Sequence, residues 1–464
     1  MTAITPSEET PAKFASIRES VPEWVSAWGI GLIALFFRIW HLGSPKGFVF
    51  DEVYYAQNAD SLLHHAVELD PKTNAAQFIV HPPIGKWVIA LGIKIFGYHE
   101  FGWRISAAIV GTASIIMIFY VAKRLFNNYF VALSAEILMA ADGLHLVMSR
   151  TALLDIFLMF FTLLGFYFLL RTQHYLAGIT LGLAAATKWS GLYYLVAYFA
   201  FTLYVDYRNN TALEIPQPIR TTLREKLWKR FLQYLVIPVF IYVSSWVGWF
   251  ATLTGYDRQW AKTNPASALG WIIPGPVRSF WHYHWEMWNF HTNLTTSHPY
   301  SANPWSWLIL GRPTSFYYQA PAGCGAKSCA QEVLALGTPI LWWSAIAGIA
   351  VTFGYWIAQR EWQTGLLLLS FAAGYLPWFN WQKRTVFSFY AIAFEPFVIL
   401  IIAYTIWKFL ESYSNGYSLK LKRRIVSGYL VIVVINFIYF LPLYLGINIP
   451  YSHWSQLMWF PNWI

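Results

Sequence analysis

Charge is scarce in this sequence. Only 12% of the 464 residues are charged while 57% are hydrophobic. A soluble domain carries about a quarter charged residues, so a water-soluble globule is excluded and the surplus apolar surface must face lipid. Cysteine is scarcer still. Cys324 and Cys329 are the only two, which excludes a disulfide-built scaffold and leaves a small loop disulfide and two free thiols as equal alternatives. No Gly/Ser linker, low-complexity tract or internal repeat interrupts the chain, so residues 1–464 read as a single membrane domain. The first 23 residues lack the basic start, short apolar core and small-residue cleavage site of a signal peptide. They read as a cytoplasmic tail, and the first span as a retained anchor. The net charge of +10 sits on loops between apolar runs. No segment can carry a basic face for nucleic acid, and the positive-inside bias accounts for the surplus.

What is present is a series of apolar windows near the spanning length of ~20 residues. Eleven are drawn, at about 24–40, 102–122, 129–148, 152–170, 174–187, 189–205, 231–253, 336–358, 363–380, 386–408 and 426–445. The expected class is therefore an all-α polytopic membrane protein. An odd count puts the termini on opposite sides. With the N-terminus cytoplasmic, the inside loops hold the dense basic clusters around Arg220, Arg224, Lys226, Lys229 and Arg230 and around Lys420, Lys422, Arg423 and Arg424. Two long hydrophilic segments then fall outside, 41–104 and 254–335. Within the first, 84–96 is apolar but too short to span, and reads as an interfacial helix started by Pro82-Pro83. The second is rich in Trp, His, Pro and Asn, as an ordered functional loop is. Gly178-x-x-x-Gly182 marks close helix packing in the fifth span.

On this topology the ionisable residues collect at the outer membrane face. Asp51 and Glu52 follow the first span; Asp142, His145, Arg150 and Asp155 bracket the turn between the third and fourth; Lys188, Lys383 and Arg384 sit at the same level. Charges beside hydrocarbon are costly unless used. Taken singly, Asp51 and Glu52 fit a solvated loop start, Arg150, Lys188 and Arg384 fit snorkelling to headgroups, and Asp155 fits an ion pair with Arg150. Several cations at one level point instead to an anionic ligand. His282, His284, His291 and His298 are interleaved with large aromatics, are read as lacking cysteine or carboxylate partners at tight spacing, and show no His-Glu-x-x-His pattern, so no metal site is expected from them.

Several of these residues lie in motifs that resemble one family. Phe50-Asp51-Glu52-Val53-Tyr54, His81-Pro82-Pro83-Ile84-Gly85-Lys86, Ser149-Arg150-Thr151-Ala152-Leu153-Leu154-Asp155, Lys188-Trp189-Ser190-Gly191-Leu192 and Ser297-His298-Pro299-Tyr300-Ser301, with Trp305 and Trp307, follow the order found in protein O-mannosyltransferases. The resemblance implies a GT-C fold of eleven transmembrane helices with an outward-facing site. It implies that Asp51 is the catalytic carboxylate, that the donor is mannose on a polyisoprenoid phosphate, and that the acceptor is a Ser or Thr hydroxyl of an exported protein. The segment 254–335 is too short for the inserted β-trefoil (MIR) domain of eukaryotic members. The chain therefore resembles the short bacterial, actinobacterial-like type, which implies the plasma membrane, a periplasm-like location for the site and a bacterial polyprenyl carrier.

The chemistry expected is an inverting displacement. A phosphodiester-linked sugar leaves as a stable phosphate monoester, so one base suffices and no proton donor is required. Asp51 is the expected base, with Glu52 assisting it. Arg150, Lys188, Lys383 and Arg384 are expected to hold the donor phosphate. That is the role a divalent metal plays in soluble nucleotide-sugar enzymes, so no cofactor or metal is expected. His81, Asp155, His298, Tyr300, Trp305 and Trp307 are the candidate sugar and acceptor contacts. The expected partners are polyprenyl-phosphate-mannose, Ser/Thr-containing polypeptides and membrane lipid, with the protein-export machinery as a candidate and nucleic acid excluded. Two rival readings are a GT-C transferase that moves a lipid-linked sugar to a glycolipid, and a secondary transporter. The second is disfavoured because no repeat symmetry is visible and the charges sit at the rim.

Overall fold

Inside hydrocarbon every peptide group must be satisfied by its own segment or by protein, so apolar runs of this length fold as helices. They do so in the computed structural model, which describes residues 22–266, 268–412 and 416–464. Most of the expected N-terminal tail, 1–21, lies outside the described residues.

The first window is α1 (Glu23–Ile39). The first long hydrophilic segment holds α2 (Glu52–His65) and α3 (Ile84–Phe96); α3 packs against α2 and α4 (Glu100–Phe126) and leaves Leu91 and Ile95 exposed. The window 129–148 is two helices, α5 (Tyr129–Ala140) and α6 (Gly143–Met148). Asp142 divides them. Its carboxylate accepts from the backbone N–H of His145 at 3.2 Å, that of Thr338 at 2.7 Å and the indole of Trp342 at 3.0 Å, so a side chain takes over where the helix ladder stops.

Next come α7 (Asp155–Leu170), α8 (His174–Ala185) and α9 (Gly191–Ala212), then α10 (Pro218–Glu225) and α11 (Leu227–Phe231) in the basic loop. The window 231–253 is broken into a π turn at Leu232–Val236, α12 (Ile237–Ser245) and α13 (Val247–Ala251). A Cβ at Gly178 would stand 1.9 Å from the carbonyl oxygen of Gln233. Only glycine admits this approach of α8 to the π turn, as the Gly-x-x-x-Gly spacing predicts.

The second long hydrophilic segment contains α14 (Trp260–Thr263), α15 (Gly275–Asn293) and an antiparallel hairpin of β1 (Thr314–Gln319) and β2 (Cys329–Ala335). Cys324 and Cys329 are disulfide-bonded across its turn. The chain closes with α16 (Pro339–Gln359), α17 (Trp362–Tyr375), α18 (Glu395–Glu411), α19 (Leu419–Leu445), a short β3 (Ile449–Pro450) paired to β2, and α20 (Tyr451–Leu457). Among the described residues α4, α16 and α19 are long and apolar enough to cross a membrane singly. Other spans are shorter or interrupted. In particular, the windows 363–380 and 386–408 contain 3₁₀ turns at Leu376–Trp381 and Ser388–Ala393. Irregular backbone at such depth is tolerated where it is enclosed by protein or lines a cavity.

A buried ion pair holds the long hydrophilic loops to this frame. Glu52, fully buried, accepts from Arg104 Nε and Nη2, both at 2.8 Å, from the Val49 N–H at 2.8 Å and from the Ala152 N–H at 3.0 Å. Arg104 on α4 spends its remaining hydrogens on the carbonyls of Leu42, Pro45 and Gly47. The start of α2, the link from α1, the shaft of α4 and the turn before α7 thus meet at one carboxylate. Removing one partner of such a pair leaves the other charge buried and uncompensated, a loss of about 3–5 kcal/mol. Glu52→Gln and Arg104→Ala are each expected to lower the unfolding midpoint in detergent by an amount of that order. The double substitution should cost less than the sum of the two; strict additivity would show that the pair is not coupled.

Candidate active site

Asp51 occupies the N-cap position of α2, yet its side chain does not cap the helix. Among the described residues no hydrogen bond or ion pair engages its carboxylate, and it is half-buried. The residue before it is held in an unusual conformation. Phe50 has φ 51°, a left-handed backbone that a bulky side chain adopts only when its surroundings impose it. The imposing contacts are aromatic. Its ring stacks on Phe316 of β1 at 4.8 Å and meets Phe387 and Phe389 edge-on at 5.8 and 5.5 Å. The hairpin therefore backs the loop that presents Asp51. Burial pushes the Asp51 carboxyl up to about 6, with Lys188 pulling it back and Asp155 adding to the rise.

Lys188 and Asp155 form a buried ion pair at 2.7 Å, joining the α8–α9 turn to the start of α7. The Lys188 ammonium also lies 4.1 Å from the ring centroid of Tyr390, in the second 3₁₀ turn. The Ile84 N–H donates to the Ala186 carbonyl at 3.1 Å, which brings the His81 loop beside Lys188. His81 lies 5.2 Å from His291 of α15, ring to ring. His291 Nε2 bonds the Val80 carbonyl at 2.6 Å, and its Nδ1 lies 3.3 Å from Arg384 Nη2. Burial keeps both imidazoles neutral: His81 falls well below its ordinary value and His291 falls to about 4.

Of these groups His81, Lys188, His291 and Arg384 line a cavity of about 140 Å³, and Asp51 is tied to it through its electrostatic coupling to Lys188. Its cations are Lys188 and Arg384, and its walls are largely aromatic, from Trp189, Tyr193, Trp288, Trp378 and Trp381. Two buried polar atoms at its edge, His81 Nδ1 and Arg384 Nε, have no hydrogen-bond partner among the described residues. Buried donors are rarely left so, and both suit a polar ligand. The site therefore combines an unpartnered carboxylate, two cations and aromatic walls, the ingredients for base catalysis on a ligand that is partly anionic and partly apolar.

The structure separates the expected site residues. Asp51, His81, Asp155, Lys188 and Arg384 are brought together. His298 stands beside them, its ring 6.1 Å from Phe50 and 4.9 Å from Phe387, with Nδ1 accepting from the Tyr300 N–H at 3.2 Å. Tyr300 lies under the Arg312 guanidinium at 5.1 Å, and Trp305 is exposed. Four expectations change. Glu52 belongs to the Arg104 knot and offers nothing to a substrate. Arg150 Nη1 donates to the carbonyls of Phe37, Arg38 and Trp40 at 2.8, 3.0 and 2.8 Å, and Nη2 to that of His41 at 3.3 Å. It satisfies the open end of α1 and so is turned from any phosphate. Lys383 is exposed and does not line the cavity. Trp307 is 1% exposed and its indole N–H is spent on the Ala302 carbonyl at 2.8 Å, so it is core. Asp155 pairs with Lys188 and not with Arg150. Sequence reasoning missed His291, Tyr390 and most of the tryptophans. Trp189 alone carried a signal, lying inside the Lys188-Trp189-Ser190 motif.

Comparison with known proteins bears on this arrangement. Residues 28–251 match the family model described as dolichyl-phosphate-mannose-protein mannosyltransferase, and residues 276–463 match the C-terminal four TMM region of protein-O-mannosyltransferase. A polyprenol-phosphate-mannose--protein mannosyltransferase of Mycolicibacterium smegmatis is 33% identical over 95% of this chain and 93% of its own length. The protein of the same name from Corynebacterium glutamicum is 31% identical over 98% and 95%. Among solved structures, the S. cerevisiae Pmt1-Pmt2 complex bound to the sugar donor superposes with a TM-score of 0.78 at 15% identity, covering 96% of this chain and 93% of that one. ArnT from Cupriavidus metallidurans bound to undecaprenyl phosphate gives 0.52 at 16% identity over 91% and 76%. The structural likenesses fix the fold as that of GT-C glycosyltransferases, and the full-length relatives and the two family models show that the chain belongs to the protein O-mannosyltransferase family.

Proposed function

We propose that this membrane enzyme transfers mannose from polyprenyl-phosphate-mannose to Ser or Thr hydroxyls of exported polypeptides, with inversion at C1 and Asp51 as the base. The observation that carries this reading is the Asp51 carboxylate, without a hydrogen-bond or ion-pair partner among the described residues and coupled to the Lys188–Asp155 pair, whose lysine lines a cationic, aromatic cavity. Asp51 takes the acceptor hydroxyl proton as the oxygen bonds to C1. The C1–O bond to phosphate breaks, and polyprenyl phosphate leaves as a monoester anion. Lys188 and Arg384 hold that phosphate and offset the charge that grows on it. His81 offers its free Nδ1 to the sugar, and the shelf of His298 and Tyr300, with Trp305 outside it, receives the acceptor. Glu52 serves indirectly, by fixing the backbone from which Asp51 projects.

The same reading places the N-terminus in the cytoplasm and the cavity and C-terminus on the outer side. The basic clusters at 220–230 and 420–424 support this orientation, as does the disulfide of the external hairpin, since such bonds persist in oxidising compartments. The lipid carrier and a secreted acceptor then meet at the outer face, where the export machinery is the natural source of unfolded polypeptide.

General-base catalysis contributes about 10²–10⁴-fold. Asp51→Asn, which keeps shape and removes basicity, is expected to lose transfer to labelled Thr-rich peptide by that factor while still binding donor; near wild-type turnover would overturn the assignment. The base works only when ionised, so kcat/KM should fall below about pH 6 and level off above it. Lys188→Met, which removes the nearest positive charge, should move that limb to higher pH. Arg384→Ala should raise KM for the lipid donor more than KM for the peptide, and an equal rise in both would mark Arg384 as structural. With two protein cations at the phosphate, chelation by EDTA should leave the initial rate at low temperature unchanged.

A further inference from the structure

A second cluster of ligating side chains lies outside the cavity, where the second long hydrophilic segment folds back on itself. His282 and Glu286 are one turn apart on α15, so their side chains share a face. Asp257 comes from the turn before α14. His282 Nε2 stands 3.4 Å from Asp257 Oδ2 and 3.5 Å from Glu286 Oε1, and the three ligand atoms all lie within 4.8 Å of one another. Around a tetrahedral cation with bonds of about 2.0–2.1 Å, neighbouring donors are roughly 3.3–3.4 Å apart. The two shorter separations are thus already those of a coordination shell.

The cluster is also preset. The Trp260 ring stacks on His282 at 4.1 Å with an interplanar angle of 14°, which fixes the imidazole plane. Asp257 has φ 50°, a left-handed backbone that aspartate tolerates. The nearby arginines do not neutralise it. Arg258, next to Asp257, donates to the carbonyls of Trp249 and Phe250 at 2.9 and 3.0 Å. Arg278, one turn before His282, donates to the Asn264 carbonyl at 2.5 Å. Among the described residues, the charge partner of both carboxylates is His282. Two carboxylates and one imidazole, with two guanidinium groups turned away, form a donor set for a cation. All three side chains are half-buried, which leaves an open position for water.

We propose that Asp257, His282 and Glu286 bind a divalent cation of the zinc or manganese class, which clamps the turn before α14 to α15. Imidazole favours the transition metals and carboxylates accept either ion. The cation is placed to stabilise the fold and not to take part in transfer: α15 presents His291 to the cavity, and the cluster sits five residues earlier on the same helix. The spacing of Glu286 four residues after His282 is visible in the sequence, but Asp257 becomes its partner only through the fold.

The test uses the full-length protein in detergent, stripped with EDTA and dialysed, and titrated at pH 7 with ZnCl₂ and separately with MnCl₂ against a background of Mg²⁺. Calorimetry is expected to show one equivalent bound, and the unfolding midpoint to rise with the metal. Trp260→Leu, which removes the orienting ring but no ligand, should weaken binding by about 10–100-fold. Asp257→Asn and Glu286→Gln should abolish it while matching the metal-free wild type in midpoint. Because a variant can fail to fold, the wild-type chain supplies an independent readout. Zn²⁺ should protect His282 from diethyl pyrocarbonate, read by peptide mass spectrometry. Lack of saturable binding, binding unchanged in the carboxylate variants, or modification of His282 unaffected by Zn²⁺ would each overturn the proposal.

Discussion

The loops around the site hang on the Glu52–Arg104 ion pair. The start of α2 supplies one buried carboxylate, and the link from α1, the shaft of α4 and the turn before α7 each bring a backbone or guanidinium donor to it. A buried pair of this kind is not a cheap source of stability, because desolvating both charges offsets much of their attraction. What it supplies here is direction. With Glu52 saturated, the helix that begins there has a fixed origin, and the adjacent residue projects from a fixed point. Asp51 and Glu52 are thus neighbours with opposite fates: one has four hydrogen-bond donors, the other none among the described residues. The saturated carboxylate is what allows the bare one to be held in place without partners that would compete with a substrate.

The same division of labour recurs among the cations. Arg150 lies in the motif that carries Asp155, but its guanidinium donates to the carbonyls of Phe37, Arg38, Trp40 and His41 and closes the end of α1. Arg104 does similar work for the loop above. Lys188 and Arg384, by contrast, each line the cavity, Lys188 over the Tyr390 ring and Arg384 with a buried Nε lacking a partner among the described residues. His81 and His291 remain neutral there because burial outweighs their other interactions. The positive charge at the cavity is therefore concentrated in two groups, at the place where a phosphate would develop charge, and the imidazoles are left as hydrogen-bonding partners.

Much of this was legible in the sequence, and the limits have physical causes. Hydropathy located the spans because hydrocarbon imposes a length and a composition on each; Glu100–Phe126 and Leu419–Leu445 contain the windows drawn for them. The hairpin at 314–335 escaped because two short strands inside a polar loop leave no comparable period. Asp51, Lys188 and Arg384 drew attention in the sequence because charged groups are costly at that level, and His81 through its motif; the structure brings the four into one region. The same reasoning misassigned Arg150 and Glu52, since a costly charge can be used to hold backbone as well as to meet a ligand, and only coordinates tell which. Trp307 was misread for a related reason. An indole on a polar loop can face a sugar or the core, and its hydrogen bond to Ala302 decides for the core.

The interrupted helices explain why the site lies where it does. An unbroken span satisfies all its own peptide groups and presents only side chains. Where α17 passes into the turn Leu376–Trp381, and where Ser388–Ala393 precedes α18, peptide groups are freed and the chain can change direction within the protein. Between those turns lies Arg384. Its neighbour Thr385 donates its backbone N–H to the Leu294 carbonyl at 3.1 Å, and the Val386 carbonyl accepts from the Ala302 N–H at 2.8 Å. The stretch after α15 thereby pairs with the broken span and brings His291 and His298 to the same level. The enclosure that makes irregular backbone tolerable within the protein also surrounds the region where the Asp51 carboxylate and the cations Lys188 and Arg384 come together. Fold interruption and the setting of the candidate site are consequences of one arrangement, in which loops are pinned over a break in the helical bundle.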